Sequence, residues 1–131
     1  MMEDIHPNLS LLKNLNLQDL DACRSILADN FVWHYFNRHI PDLEGDYRGV
    51  DGLKSFFAKL GERSDSSFRV NVIDIRTAGD ELVVTQVCNS MNLEGSLMEF
   101  DAVVVWRIVN GQVAEAWDIP AVNTIRSVEK S

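Results

Sequence analysis

Asn110-Gly111, set between the β-rich runs 100–109 and 112–119, constrains the fold more than any other pair in the chain. A type I′ turn needs positive φ at both central residues, which Asn-Gly tolerates and most pairs do not. The pair therefore predicts a tight antiparallel hairpin. Its second strand closes with Glu115-Ala116-Trp117-Asp118-Ile119-Pro120, so it delivers a lone carboxylate, Asp118, to a strand end among apolar neighbours. A second polar group has a similar setting about eighty residues earlier: His34, within Phe31-Val32-Trp33-His34-Tyr35-Phe36. An acid and an imidazole in aromatic strand sequence are either buried polar groups with partners or the working parts of a pocket.

Upstream of the hairpin the chain divides into helical and alternating parts. Leu9, Leu12 and Leu15 recur at threes, and Leu17, Leu20, Cys23, Ile26 and Leu27 continue at threes and fours. This spacing predicts two helices over residues 8–28, broken near Asn14–Asn16. Residues 31–36 read as a strand, 37–47 as a loop, and Leu53–Leu60 as a short amphipathic helix stopped at Gly61. Strands follow at 68–77 and 81–93, with turns at Gly79-Asp80 and Gly95, and the tail 123–131 reads as frayed or weakly helical. Helices segregated from a four-strand meander define an α+β domain, one unit over 1–131 with its core at about 8–122.

Composition narrows the partners. With 46% hydrophobic and 24% charged residues the chain is an ordinary globular one, and its 131 residues suit a single core. A net charge of −8 argues against nucleic acid or an anionic membrane as partner, since both select basic patches. No apolar run approaches the ~20 residues of a membrane span, and the start of the chain lacks a signal-peptide pattern. Cys23 and Cys88 are expected to be reduced, buried thiols, and a cytoplasmic location is expected. No Cys/His cluster or phosphate-cradling glycine loop points to a metal or cofactor, so none is expected.

Strand parity sorts the candidates by face. Val32, His34 and Phe36 share one face of the first strand, and Thr85, Val87, Asn89 and Met91 one face of the long strand. Ala102, Val104, Trp106 and Ile108 share a face of the next. In the last strand Ala114, Ala116 and Asp118 oppose Val113, Glu115, Trp117 and Ile119. Both faces of that strand are largely apolar, and an exposed apolar sheet face marks a partner surface. A homodimer through the sheet is therefore expected, with Val113, Glu115 and Trp117 at its interface.

Two motifs carry a family resemblance. The first is Trp33-His34-Tyr35, then, after a gap, Tyr47-Arg48-Gly49-Val-Asp-Gly-Leu-Lys-Ser-Phe-Phe57. The second is Val105-Trp106-Arg107-Ile108-Val-Asn-Gly-Gln-Val113-Ala-Glu115-Ala-Trp117-Asp118. In this order and spacing the chain resembles the SnoaL-like, ketosteroid isomerase-like branch of the nuclear transport factor 2-like superfamily over nearly its whole length. The resemblance implies a cone: a curved, mostly antiparallel sheet wrapped around about three N-terminal helices and enclosing a pocket. It places Asp118 where cyclase-like and epoxide-hydrolase-like members keep an acid/base aspartate, and His34 where they keep a polar pocket residue. The chain departs from the pattern at Ala116, where the family has a histidine. It departs again at Val87 and Asn89, where epoxide hydrolases carry Arg-x-Asp, and at Val104, where ketosteroid isomerases keep an Asp donor.

Asp118, His34 and Asn89 are the candidate catalytic residues. A carboxylate in low dielectric shifts toward the neutral range that suits a general base or acid. His34 and Asn89 would fix a substrate or stabilise an enolate-like oxygen. Equally, Asp118 could be a hydrogen-bonded strand-end group, His34 a satisfied core residue, or the two could bond to each other. Val32, Tyr35, Phe36, Phe56 and Phe57 are the expected pocket wall, with Val87, Met91, Val104, Trp106 and Ala116. The reading is a cofactor-independent acid/base enzyme (isomerase, cyclase or dehydratase type) on a small hydrophobic carbonyl compound. The alternative is a non-catalytic module binding a small hydrophobic ligand, or a dimeric interaction domain.

Overall fold

The computed structural model describes residues 6–17 and 19–128; the remaining tail residues and Gln18 lie outside the described residues. Among the described residues seven strands form one curved, mostly antiparallel sheet, the α+β cone that the sequence motifs imply. In chain order the elements are α1 (Pro7–Lys13), β1 (Leu27–Tyr35), β2 (Gly45–Arg48), α2 (Gly49–Ser64), β3 (Arg69–Ala78), β4 (Leu82–Leu93), β5 (Ser96–Val109), β6 (Gln112–Pro120) and β7 (Arg126–Ser127). The strand order is β2-β1-β6-β5-β4-β3, with β7 added to the far end of β5; β1 and β6 run parallel. The β5–β6 turn has φ of 54° at Asn110 and 76° at Gly111, as its sequence requires.

Among the described residues two α-helices are present rather than about three. Residues 19–26 fold into turns around one short 3-10 helix, Asp21–Cys23, and β1 begins at Leu27. Side chains here compete for the backbone that a helix would use. The Asp19 carboxylate accepts from Ala22 N–H at 3.3 Å, and the Cys23 thiol sits 3.5 Å from the carbonyls of Asn16 and Asp19. α2 overruns the predicted stop at Gly61 and ends where Asp65 takes a left-handed conformation, φ 55° and ψ 43°. Its entry is tight: a Cβ at Gly52 would lie 2.9 Å from the Tyr47 carbonyl carbon, so only glycine fits against β2. Of the two cysteines, Cys23 is buried and Cys88 is half-exposed; both are free thiols.

The core lies between α2 and the concave sheet face. α2 buries Val50, Leu53, Phe56 and Leu60 along one stripe. Phe56 stands at the centre of an aromatic cluster, with ring centroids 5.7 Å from Trp33, 4.7 Å from Tyr35, 5.0 Å from Tyr47 and 5.1 Å from Phe57. The β1 residues that face this cluster are Phe31, Trp33 and Tyr35, all buried.

That placement corrects the expected facing of β1. Val32, His34 and Phe36 do share a face, but it is the outer one, and Phe36 is 48% exposed. Three aromatic rings gain more from burial than Val, His and one Phe would, so they take the inside. A bulge corrects β6 as well. Ile108 pairs with Val113 and Arg107 with Glu115, leaving Ala114 as the extra residue. One inserted residue switches the faces. Val113 is therefore fully buried in the core, alongside Ala116 and Asp118, and is removed from the expected dimer interface; Glu115 and Trp117 stay outside.

Candidate functional site

A cavity of about 300 Å³ lies under the sheet. Its floor comes from inward-facing residues of β4, β5 and β6 with one of β1: Thr85, Val87, Asn89, Val104, Trp106, Asp118 and Trp33. Phe57 of α2, Phe68, and Val70, Val72 and Ile75 of β3 make the walls. Leu12, Leu15 and Leu17 close over it, with Lys13 at the rim. α1 is held there by Asn8, whose side-chain amide donates to the carbonyl of Asp80 in the β3–β4 turn at 2.8 Å.

The lining is apolar except at a few points, and those points differ in how well they are satisfied. Thr85 accepts from the Trp106 indole N–H at 3.2 Å and donates to the Val104 carbonyl at 3.1 Å, so that pair is internally complete. Three other residues each carry a buried polar atom without a protein partner: Asp118 Oδ1, Asn89 Oδ1 and Trp33 Nε1. Unpaired buried polar atoms cost folding free energy and are rare in native proteins, so three around one cavity call for a functional explanation. Asp118 is only 7% exposed, and burial alone pushes its carboxyl up from 3.8 to about 7. The neighbouring Tyr35 phenol is raised too, first by burial and then by the Asp118 charge, and accepts from the Asn37 amide at 2.9 Å.

Of the ten residues expected to line the pocket, Phe57, Val87, Val104 and Trp106 do so. Tyr35, Phe56, Met91 and Ala116 are buried in the surrounding core instead, while Val32 and Phe36 lie on the outer face. Sequence reasoning did not single out Trp33 as a polar group, nor the β3 residues Val70, Val72 and Ile75. Another bulge hides the β3 contribution: Val72 pairs with Val87 and Asp74 with Gln86, so Ile73 is extra and the alternation is broken.

His34 is not in the cavity. Its Nδ1 lies 2.6 Å from Asp46 and its Nε2 2.5 Å from Glu115, and its ring stacks on Trp117 at 5.5 Å. Arg107 covers the same indole at 5.4 Å and approaches Glu115 at 3.6 Å. Partial burial pulls the imidazole pKa down, but its hydrogen bonds to the Asp46 and Glu115 carboxylates outweigh this and the net shift is upward. Such a group stabilises the fold below its unfolded pKa of about 6.5, and that contribution fades as pH rises through the folded value. His34→Gln is expected to remove this loss of stability above pH 6.5, a change of a few tenths to about 1 kcal/mol, the range for a solvent-screened pair. Urea titrations at three pH values check this; an unchanged slope would leave the network without a role in stability.

The comparisons with known proteins agree with this fold. A family model for the SnoaL-like domain matches residues 10–116. The chain belongs to the SnoaL-like family. Among solved structures it is similar to a nuclear transport factor 2-like protein of unknown function from Burkholderia pseudomallei, at TM-score 0.77 and 19% identity over 91% of this chain and 94% of that one. It is similar to TerC co-crystallised with polyporic acid, at TM-score 0.74 and 19% identity over 89% and 93% of the two chains. A proposed SnoaL-like polyketide cyclase from Jannaschia follows at 0.71 and 15%, over 94% and 92%. No curated protein matches the chain. At these identities the likeness is one of fold, and function must come from the site.

Proposed function

We propose that this SnoaL-like protein is a cofactor-independent acid/base enzyme, of isomerase, cyclase or dehydratase type, acting on a small hydrophobic carbonyl compound. The observation that carries the reading is Asp118: a carboxyl buried in an apolar cavity, unpaired at Oδ1, with its pKa raised to about 7. Near neutral pH such a group is present in both forms and can take a proton and give it back. Asp118 would abstract a proton from the carbon α to the carbonyl. Negative charge would then develop on the carbonyl oxygen, where the unpaired Trp33 N–H is the available donor, while the unpaired Asn89 Oδ1 would accept from a donor group on the ligand. Return of the proton to another carbon gives isomerisation; its transfer from Asp118 to a β-hydroxyl, which leaves as water, gives dehydration. That TerC was co-crystallised with polyporic acid supports a small organic ligand in a cone of this kind.

The second reading is a binding module without turnover. Val87 and Ala116 favour it, since neither offers a second acid or base near Asp118. One experiment separates the two: α-hydrogen exchange of a panel of one- and two-ring ketones in D2O, followed by proton NMR. Enzyme-dependent exchange that disappears in Asp118→Asn supports catalysis. Binding without exchange in the wild type supports the module.

A second copy of the chain is the proposed partner, met on the outer face of β1, β5 and β6. Phe36, Val103 and Ile119 are exposed there beside Trp117. Sedimentation velocity at micromolar concentration is expected to give a dimer for the wild type and a monomer for Ile119→Glu; a monomeric wild type would remove the proposal. A cytoplasmic location goes with the free thiols of Cys23 and Cys88. Among the described residues no helix is long and apolar enough to cross a membrane.

A further inference from the structure

The cavity that ends at Asp118 opens into a larger groove of about 760 Å³. The two spaces share Lys13, Leu15, Leu17, Phe57, Phe68 and Val70, while Asp118, Asn89 and both tryptophans belong to the inner one alone. Chemistry changes along this path. Beyond the shared residues the groove is lined by Asn16, Leu60, Gly61, Ser66 and Arg69. Its charged residues are Lys13 and Arg69, both cations, and no carboxylate lines it among the described residues. This is a local reversal of sign in a chain with 20 acidic against 12 basic residues.

Neither cation is consumed by the fold. Lys13 stands in the last turn of α1 and makes no ion pair among the described residues. Arg69 donates through Nη1 to the carbonyls of Phe68 at 2.8 Å and Ser66 at 3.5 Å. Those bonds fix the guanidinium at the rim and leave its other N–H donors for an anion.

We propose that the ligand is an amphipathic anion: a body of about two rings in the inner cavity, with an acidic group in the outer groove between Lys13 and Arg69. The inference rests on the reading of the inner cavity as the small-molecule site. Size sets the body, because an apolar cavity of about 150 Å³ holds one benzene and this one is twice as large. Charge sets the direction. An acid group entering first would meet Asp118 at the closed end, whereas one entering last meets two cations. The arrangement selects apolar acids against their neutral analogues and presents the uncharged end to Asp118 and Asn89.

Two fluorescent probes with a two-ring body and different charge test this: naphthalene-2-sulfonate and neutral 2-methoxynaphthalene. The wild type is expected to bind the anion about tenfold more tightly at low salt, the sum of two exposed ion pairs, with the preference shrinking as salt rises. The double variant K13Q/R69Q should lose that preference while its affinity for the neutral probe stays within about twofold. A charge-matched control, K59Q/R76Q, should keep it. Competition by 2-naphthoate and by 2-naphthyl phosphate then tells a carboxylate from a phosphate as the preferred acid. Equal affinity for the two probes, or an equal loss in the control variant, overturns the groove's role and leaves the inner cavity standing. Failure of the neutral probe to bind overturns both.

Discussion

Asp118→Asn is expected to abolish proton exchange and, at the same time, to stabilise the protein at pH 8. The folded carboxyl has its pKa raised from 3.8 to about 7 by burial. Between those values the native state holds a proton that the unfolded chain has released, so stability falls as pH rises across the window and levels off above it. A rise of that size corresponds to at most about 4 kcal/mol. Asparagine is never charged, so the variant should gain up to that amount at pH 8 and almost nothing at pH 4. Loss of the general base should reduce exchange by about 10²- to 10⁴-fold. A gain in stability coupled to a loss of activity is the signature of a site held against the preferences of the fold. Urea titrations at pH 4, 6 and 8 check the first half; a variant less stable than wild type at pH 8 would mean that Asp118 has a structural partner.

Phe56→Ala should be the most damaging single truncation in the core. Phe56 is 1% exposed and touches four other aromatic rings, from β1, β2 and α2 itself. Removing it deletes the packing between the helix and the sheet and leaves a cavity that rigid neighbours cannot close. A loss of about 3–5 kcal/mol is expected, measured by chemical denaturation. The change should also release Trp33, whose ring it supports 5.7 Å away, and so loosen the candidate site. A loss under about 1 kcal/mol would show that the cluster repacks.

The hairpin, the α+β class and the placing of Asp118 at a buried strand end were legible in the sequence because each rests on local chemistry. Asn110-Gly111 dictates its own turn, and the alternation of Thr85, Val87 and Asn89 survives into β4 without interruption. The breaks in periodicity were not legible. The extra residue Ala114 moved Val113 from the expected interface into the core, and the extra Ile73 concealed β3 as a cavity wall. Nothing in a short segment announces a bulge, because it depends on the partner strand. His34 failed for a different reason. Parity grouped it correctly with Val32 and Phe36, but which group faces inward is settled by the whole core, and the aromatic trio of Phe31, Trp33 and Tyr35 won. The unpaired Trp33 N–H was hidden likewise, since a tryptophan in an apolar strand reads as packing until its surroundings are known.

Whether Asp118 is a dry, poised carboxyl decides the function, and a carboxyl-carbon NMR titration measures that directly, with Asp118→Asn assigning the signal. A titration centred near pH 7 is the predicted result. A midpoint at about 4 or below, the ordinary carboxylate range, would mean a solvated or hydrogen-bonded carboxylate, and would contradict the assignment of this residue as the acid/base group.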